Sequence, residues 1–165
     1  MNLRVISGGQ EGVDASALRV AKRLGLETGG TMPLGWLTEA GPRPEYADLY
    51  GMVECQEPGY PARTKANAKS GHVTLWLGPT GSTGYRCTRD ACKRLGKPFI
   101  EITDLSPESA FAAATIVAGR LLFQHDPVIV NAAGSRASKA PGISEQAEAF
   151  LIKFLPALAS SRLLG

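Results

Sequence analysis

Short apolar runs alternate along this chain with longer stretches in which apolar positions recur every three or four residues. The runs lie at 4–7, 52–55, 73–77, 99–102 and 128–131, with a weaker one at 27–30. They are continuous more than alternating, the pattern of strands covered on both faces of a parallel sheet. Between them lie five helical patterns. Residues 14–24 carry Ala17, Leu18, Ala21 and Leu24 on one stripe, and 62–70 is weaker. Residues 84–95 end at Gly96, a C-terminal cap glycine. Residues 106–124 open with Ser106 as N-cap and Pro107 at the first helical position. Residues 143–158 place Ile143, Ala147, Phe150, Leu151, Phe154, Leu155 and Leu158 on one face. Strands alternating with helices predict an α/β fold, three layers deep: a mostly parallel sheet, helices on both faces and right-handed crossovers. No internal repeat or linker interrupts the pattern, so one domain is expected over residues 1–165.

One segment has no period. Residues 31–48, "TMPLGWLTEAGPRPEYAD", hold three prolines and two glycines. A loop this long is either functional or a surface excursion packed by Trp36, Leu37 and Tyr46.

Composition narrows the class. A chain of 165 residues with 44% apolar and 20% charged residues can bury a globular core. No apolar run approaches the ~20 residues of a membrane span. The first residues run straight into a strand without a charged-then-apolar leader, which predicts a cytoplasmic protein with no membrane partner. Cys55, Cys87 and Cys92 form no C-x-x-C pair, against a disulfide framework or a structural zinc site. His72 and His125 stand isolated in sequence and read as structural, so no metal ligand is expected. The net charge of +3 is too mild for a nucleic-acid signature, but it suits an anionic small ligand if the basic residues converge.

The strand ends say where they could converge. In an open parallel sheet, ligands bind beyond the carboxyl ends of the strands. Three loops there are rich in Gly, Ser and Thr: Ser7-Gly8-Gly9-Gln10-Glu11-Gly12, Gly78-Pro79-Thr80-Gly81-Ser82-Thr83-Gly84, and the stretch from Asn131 to Lys139. Bare backbone leading into a helix lets N–H groups approach an anion. Thr80, Ser82 and Thr83 add hydroxyls, Arg86 follows, and Arg136 and Lys139 sit on the last loop. No P-loop or G-x-G-x-x-G motif occurs, and neither histidine falls in these loops, so no Ser-His-Asp triad is available. Asp14 reads as the cap of the first helix. Glu11 reads as a base or a ribose-binding group, Asp90 as a solvated residue and Cys87 as a small core residue.

The same residues carry a family likeness. "SGGQ-x-GVD-x-x-AL" at 7–18, "GPRPEY-x-DL" at 41–49, "RT-x-x-N" at 63–67, "TGST" at 80–83 and "N-x-AG-x-RASK-x-PGI" at 131–143 together resemble the molybdenum cofactor carrier-like family. That family lies in a Rossmann-like group with the lysine-decarboxylase-like phosphoribohydrolases and DNA-processing protein A. The resemblance implies a Rossmann-like domain that binds a phosphorylated, nucleotide-like or pterin ligand, the molybdenum cofactor among them. Gly8, Gly9, Thr80, Gly81, Ser82 and Thr83 would cradle phosphate, with Gln10 and Glu11 beside them. Arg136 and Lys139 would neutralise charge, Arg63 and Asn67 would complete the pocket, and residues 31–48 could cover it. The rival is a nucleoside monophosphate-processing enzyme with Glu11 or Asp14 as acid/base. The P-G-G-x-G-T-x-x-E motif of the phosphoribohydrolases is absent, which weighs against it. A third reading is a nucleotide sensor or scaffold. A homo-oligomer, dimer or tetramer, is expected through helix 106–124 or 143–158.

Overall fold

The computed structural model describes residues 2–121 and 125–161. In chain order its elements are β1 (Leu3–Ile6), α1 (Val13–Arg23), β2 (Glu27–Gly29), β3 (Thr31–Met32), β4 (Leu37–Thr38), β5 (Gly41–Pro42), α2 (Tyr46–Tyr50), β6 (Val53–Glu54), α3 (Tyr60–Ser70), β7 (Val73–Leu77), α4 (Thr83–Leu95), β8 (Phe99–Ile102), α5 (Ala110–Arg120), β9 (Val128–Gly134) and α6 (Ile143–Ser160). The central sheet has five strands in the order β2-β1-β9-β7-β8, every neighbouring pair parallel. The α/β expectation therefore holds.

Alternation along the strands divides the two faces. Leu3 and Val5, Val73, Leu75 and Leu77, and Val128, Val130 and Ala132 join one large core with α1, α5 and α6. Phe150, Leu151, Phe154 and Leu155 of α6 supply its bulk and are buried almost completely. The opposite face is thinner and more polar. There Asn131 donates to Thr74 at 3.1 Å, Trp76 packs edge-on to Tyr85 of α4, and Ala68 of α3 meets Ala91 and Cys92.

Three element expectations need correction. The run at 52–55 does not enter the central sheet: its Val53–Glu54 pairs with Thr31–Met32 in a separate ribbon. Helix α5 begins at Ala110, not at 106, because residues 106–109 close a turn, Ser109 N–H donating to Ser106 O at 3.1 Å and Ser106 N–H to the Asp104 side chain at 2.9 Å. The end of that expected helix, 122–124, lies outside the described residues. The aperiodic segment 31–48 is not one long loop. It holds β3, the antiparallel β4–β5 hairpin and the start of α2, anchored where Met32 and Tyr46 pack with Leu18 and Met52, Trp36 alongside. Leu37 does not join that cluster and is 46% exposed.

His72 and His125 are not isolated either. Their rings stack at 3.7 Å, and His72 Nδ1 accepts from Ile129 N–H at 2.9 Å, holding the start of β9 against the residue before β7.

Candidate functional site

The loops after β1, β9 and β7 are neighbours, because β9 lies between β1 and β7 in the sheet. The glycines of the first loop are bare for a reason internal to the protein. At Gly8 an added Cβ would overlap the guanidinium of Arg63. That guanidinium reaches past Gly8 to Asp14, with Nη1 at 3.2 Å from Oδ2. At Gly12 (φ 113°) a Cβ would press on the backbone of residues 135–137 at 2.5–3.0 Å. Without it, Val13 N–H donates to Ser135 O at 3.3 Å and Ala137 N–H to Glu11 O at 3.0 Å, which joins the first and last loops.

The donors of the first loop are engaged as well. Gly9 N–H donates to Ser7 Oγ at 3.2 Å, Glu11 N–H to Gln10 Oε1 at 3.2 Å, and Gln10 N–H to Asp14 Oδ2 at 3.5 Å. Asp14 is therefore not a helix cap. The N-cap position of α1 belongs to Gly12, and Asp14 turns its carboxylate back beneath the loop, where it is 5% exposed. Burial pushes its pKa up, and Arg63, the N–H groups of Gln10 and Gly8, and Arg136 oppose that shift. Asp14 thus stands where an anion on this glycine loop would stand.

Arg136 of the last loop and Arg63 of α3 converge on one ring. Arg136 lies over the ring of Tyr60 at 4.5 Å, and Arg63 approaches the same ring at 5.6 Å. Tyr60, the first residue of α3, is thus shared by two guanidiniums, one of them neutralised by Asp14. Arg136 does not pair with Glu11, whose partner is Arg43 at 3.4 Å. Gln10 Nε2 and Arg63 Nε are buried beside this cluster without a protein hydrogen-bond partner. Lys139 is exposed on the same loop as Arg136.

Other expected site residues have different positions. Asn67 is 3% exposed, and its amide is committed to Thr31: Oδ1 accepts from Thr31 N–H at 2.8 Å and Nδ2 donates to Thr31 O at 2.9 Å. It fastens α3 to β3. Ser82 is the N-cap of α4, its Oγ accepting from Tyr85 N–H at 3.0 Å, and Arg86 turns back to Gly81 O at 2.5 Å. Thr80, Gly81, Ser82 and Thr83 are exposed. The loop start is close to the last loop, since a Cβ on Gly78 would lie 3.7 Å from Ser135 Oγ.

The β4–β5 hairpin crosses this edge. Glu39 N–H donates to Gln10 Oε1 at 2.7 Å, the Glu39 carboxylate accepts from Ser138, and Arg43 meets Glu11. Tyr60, Glu39, Arg43 and Ser138 are the members of this cluster that sequence reasoning missed. Ser138, inside "RASK", and Arg43, inside "GPRPEY", had a motif signal; Glu39 and Tyr60 are placed by tertiary folding.

The strand order defines the class of protein. Counted from β9 instead of β1, the five strands read 3-2-1-4-5, the order of a dinucleotide-binding α/β sheet. The fold is a Rossmann-like sheet whose first strand has moved to the end of the chain. Residues 5–155 match the circularly permutated YpsA SLOG family, and the chain belongs to that family. A crystal structure of a "putative molybdenum carrier protein" from Syntrophus aciditrophicus SB has a TM-score of 0.78 to this chain at 31% identity, covering 92% of this chain and 94% of that one. A search of curated proteins gave no match.

Proposed function

We propose that the protein binds a phosphate-bearing small molecule, a pterin such as the molybdenum cofactor or a nucleotide, and holds it without turnover. The observation that carries this reading is the pairing of Arg63 and Arg136 about Tyr60 at the carboxyl edge of the sheet. Arg43, Arg63, Arg136 and Lys139 against Glu11, Asp14 and Glu39 leave a net positive cluster, and a guanidinium grips phosphate in a bidentate fork. The unpartnered Gln10 Nε2 and Arg63 Nε add buried donors beside it. The name of the Syntrophus protein supports a molybdenum-related ligand.

In this reading Arg136 and Lys139 face the phosphate, and Arg63 together with the Thr80–Thr83 loop flanks it. Gly8 contributes by admitting Arg63, and Gly9 (φ 70°) by a left-handed turn against Met32, more than by offering N–H groups. The first loop already holds a carboxylate, so the anion belongs nearer the last loop. The test is calorimetric titration with a panel of nucleoside monophosphates and with molybdopterin, each incubation followed by chromatography for released base. Saturable binding with no released base supports a binder. Rapid release from any member would replace it with the phosphoribohydrolase-like enzyme.

A further inference from the structure

We propose that Ser138 is an anion seat on the last loop and that the carboxylate of Glu39 is a built-in competitor for it. Ser138 N–H donates to Glu39 Oε1 at 3.0 Å, and Ser138 Oγ donates to Oε2 at 2.5 Å. One residue thus receives both oxygens of a carboxylate, a geometry that serves two phosphoryl oxygens equally well. The carboxylate is delivered from the turn of the β4–β5 hairpin, 99 residues away in sequence, and its own backbone N–H is tied to Gln10 Oε1 at 2.7 Å. Glu39 therefore spans the first and last loops.

The charges make this contact a competition. Ser138 lies between Arg136 and Lys139, the two cations of the loop. Among the described ion pairs none involves Glu39, so its carboxylate is held by the loop's neutral donors rather than by a cation. A phosphate arriving at Arg136 needs the same donors. Its apparent affinity is then lowered by the fraction of molecules in which Glu39 occupies them. Displacing the Glu39 carboxylate removes one of the hairpin tip's two tethers and leaves the bond to Gln10, so occupancy of the seat and position of the hairpin are coupled. This rests on the reading that the last loop binds phosphate.

The experiment titrates wild type, Glu39→Gln, Glu39→Ala, Ser138→Ala and the Glu39→Ala/Ser138→Ala double variant with inorganic phosphate and with guanosine monophosphate. Calorimetry gives the affinity, and amide NMR follows the Ser138 signal. Because both side chains are exposed, Glu39→Ala should tighten phosphate binding by about three- to tenfold, and Glu39→Gln should tighten it less. Ser138→Ala should weaken it, and the added Glu39→Ala should restore nothing. The Ser138 amide should shift during titration of Glu39→Ala. Unchanged or weakened binding in both Glu39 variants, or a stationary Ser138 amide, overturns the proposal. If wild type binds the nucleotide and Glu39→Ala binds it no better, the seat fails while the ligand reading stands. If the nucleotide binds no form but phosphate shifts Ser138 in Glu39→Ala, the seat stands and the ligand reading fails.

Discussion

At the scale of single residues, the Asp14–Arg63 pair has the largest consequences. Both side chains are nearly buried, 6% and 12% exposed, so removing one partner strands the other. Arg63→Met should cost about 3–5 kcal/mol in urea unfolding, and Asp14→Asn added to it should recover part of that loss. The pH dependence follows from the raised pKa of Asp14. Between the unfolded value of 3.8 and the higher native value, the folded state holds a proton that the unfolded chain has lost. Asp14 therefore stabilises most below pH 3.8, and its contribution falls as pH rises through the native pKa. The stability of wild type minus that of Asp14→Asn should decline with pH over that window in thermal melts; a rise would show that Arg63 outweighs burial. Arg136 is different. Its stacking on Tyr60 at a partly exposed site is worth about 0.5–1 kcal/mol, so Arg136→Ala should leave the melting temperature nearly unchanged. Affinity for a nucleoside monophosphate should fall about tenfold or more. A lowered melting point with intact affinity would take Arg136 out of the site.

At the scale of elements, the connection between first and last loops matters more than either loop alone. Gly12 sits where a Cβ would wedge Glu11–Val13 away from residues 135–137, and its φ of 113° is strained for any other residue. Gly81 (φ 90°) has the same kind of backbone but nothing within 4 Å of a Cβ. Gly12→Ala should therefore cost more than about 2 kcal/mol and weaken ligand binding, while Gly81→Ala carries only the backbone strain, about 1–2 kcal/mol. Denaturant titration of the two variants side by side checks this. Equal costs would mean that close packing of the two loops contributes nothing. The comparison also shows why glycine content alone was ambiguous: a phosphate approach and a loop-to-loop approach require the same missing Cβ.

At the scale of the whole molecule, the two helices expected to pair subunits turn out unequal. The stripe of α6, from Ile143 to Leu158, is consumed by the core. Helix α5 buries Ala110, Ala114 and Val117 but leaves Phe111 69% and Ile116 60% exposed, without a charged residue between them. We expect a homo-oligomer built through that face of α5. Light scattering at micromolar concentration should give at least a dimer mass, and Phe111→Glu should reduce it toward the monomer; a monomeric wild type would refute the expectation. No helix among the described residues is long and apolar enough to cross a membrane.

The sequence by itself determined the elements that local pattern controls. The five sheet strands, the helix stripes and the three loops at strand ends follow from periodicity, glycine punctuation and chain order and lie near their expected places, apart from the run at 52–55, which stays out of the central sheet, and the start of α5. It also determined that those loops would share an edge, because parallel strands put every strand-to-helix turn on one side. Tertiary structure decided what the loops contact. The insertion of β9 between β1 and β7 brought Gly12 against Arg136, a pairing that no local signal encodes. Packing of α3 across the first loop carried Arg63 over Gly8 to Asp14, turning an expected helix cap into a buried ion pair. Folding of the aperiodic segment into a hairpin placed Glu39 on Ser138. Each of these contacts joins residues tens of positions apart, where a side chain's partner depends on which elements pack together and not on its neighbours in the chain.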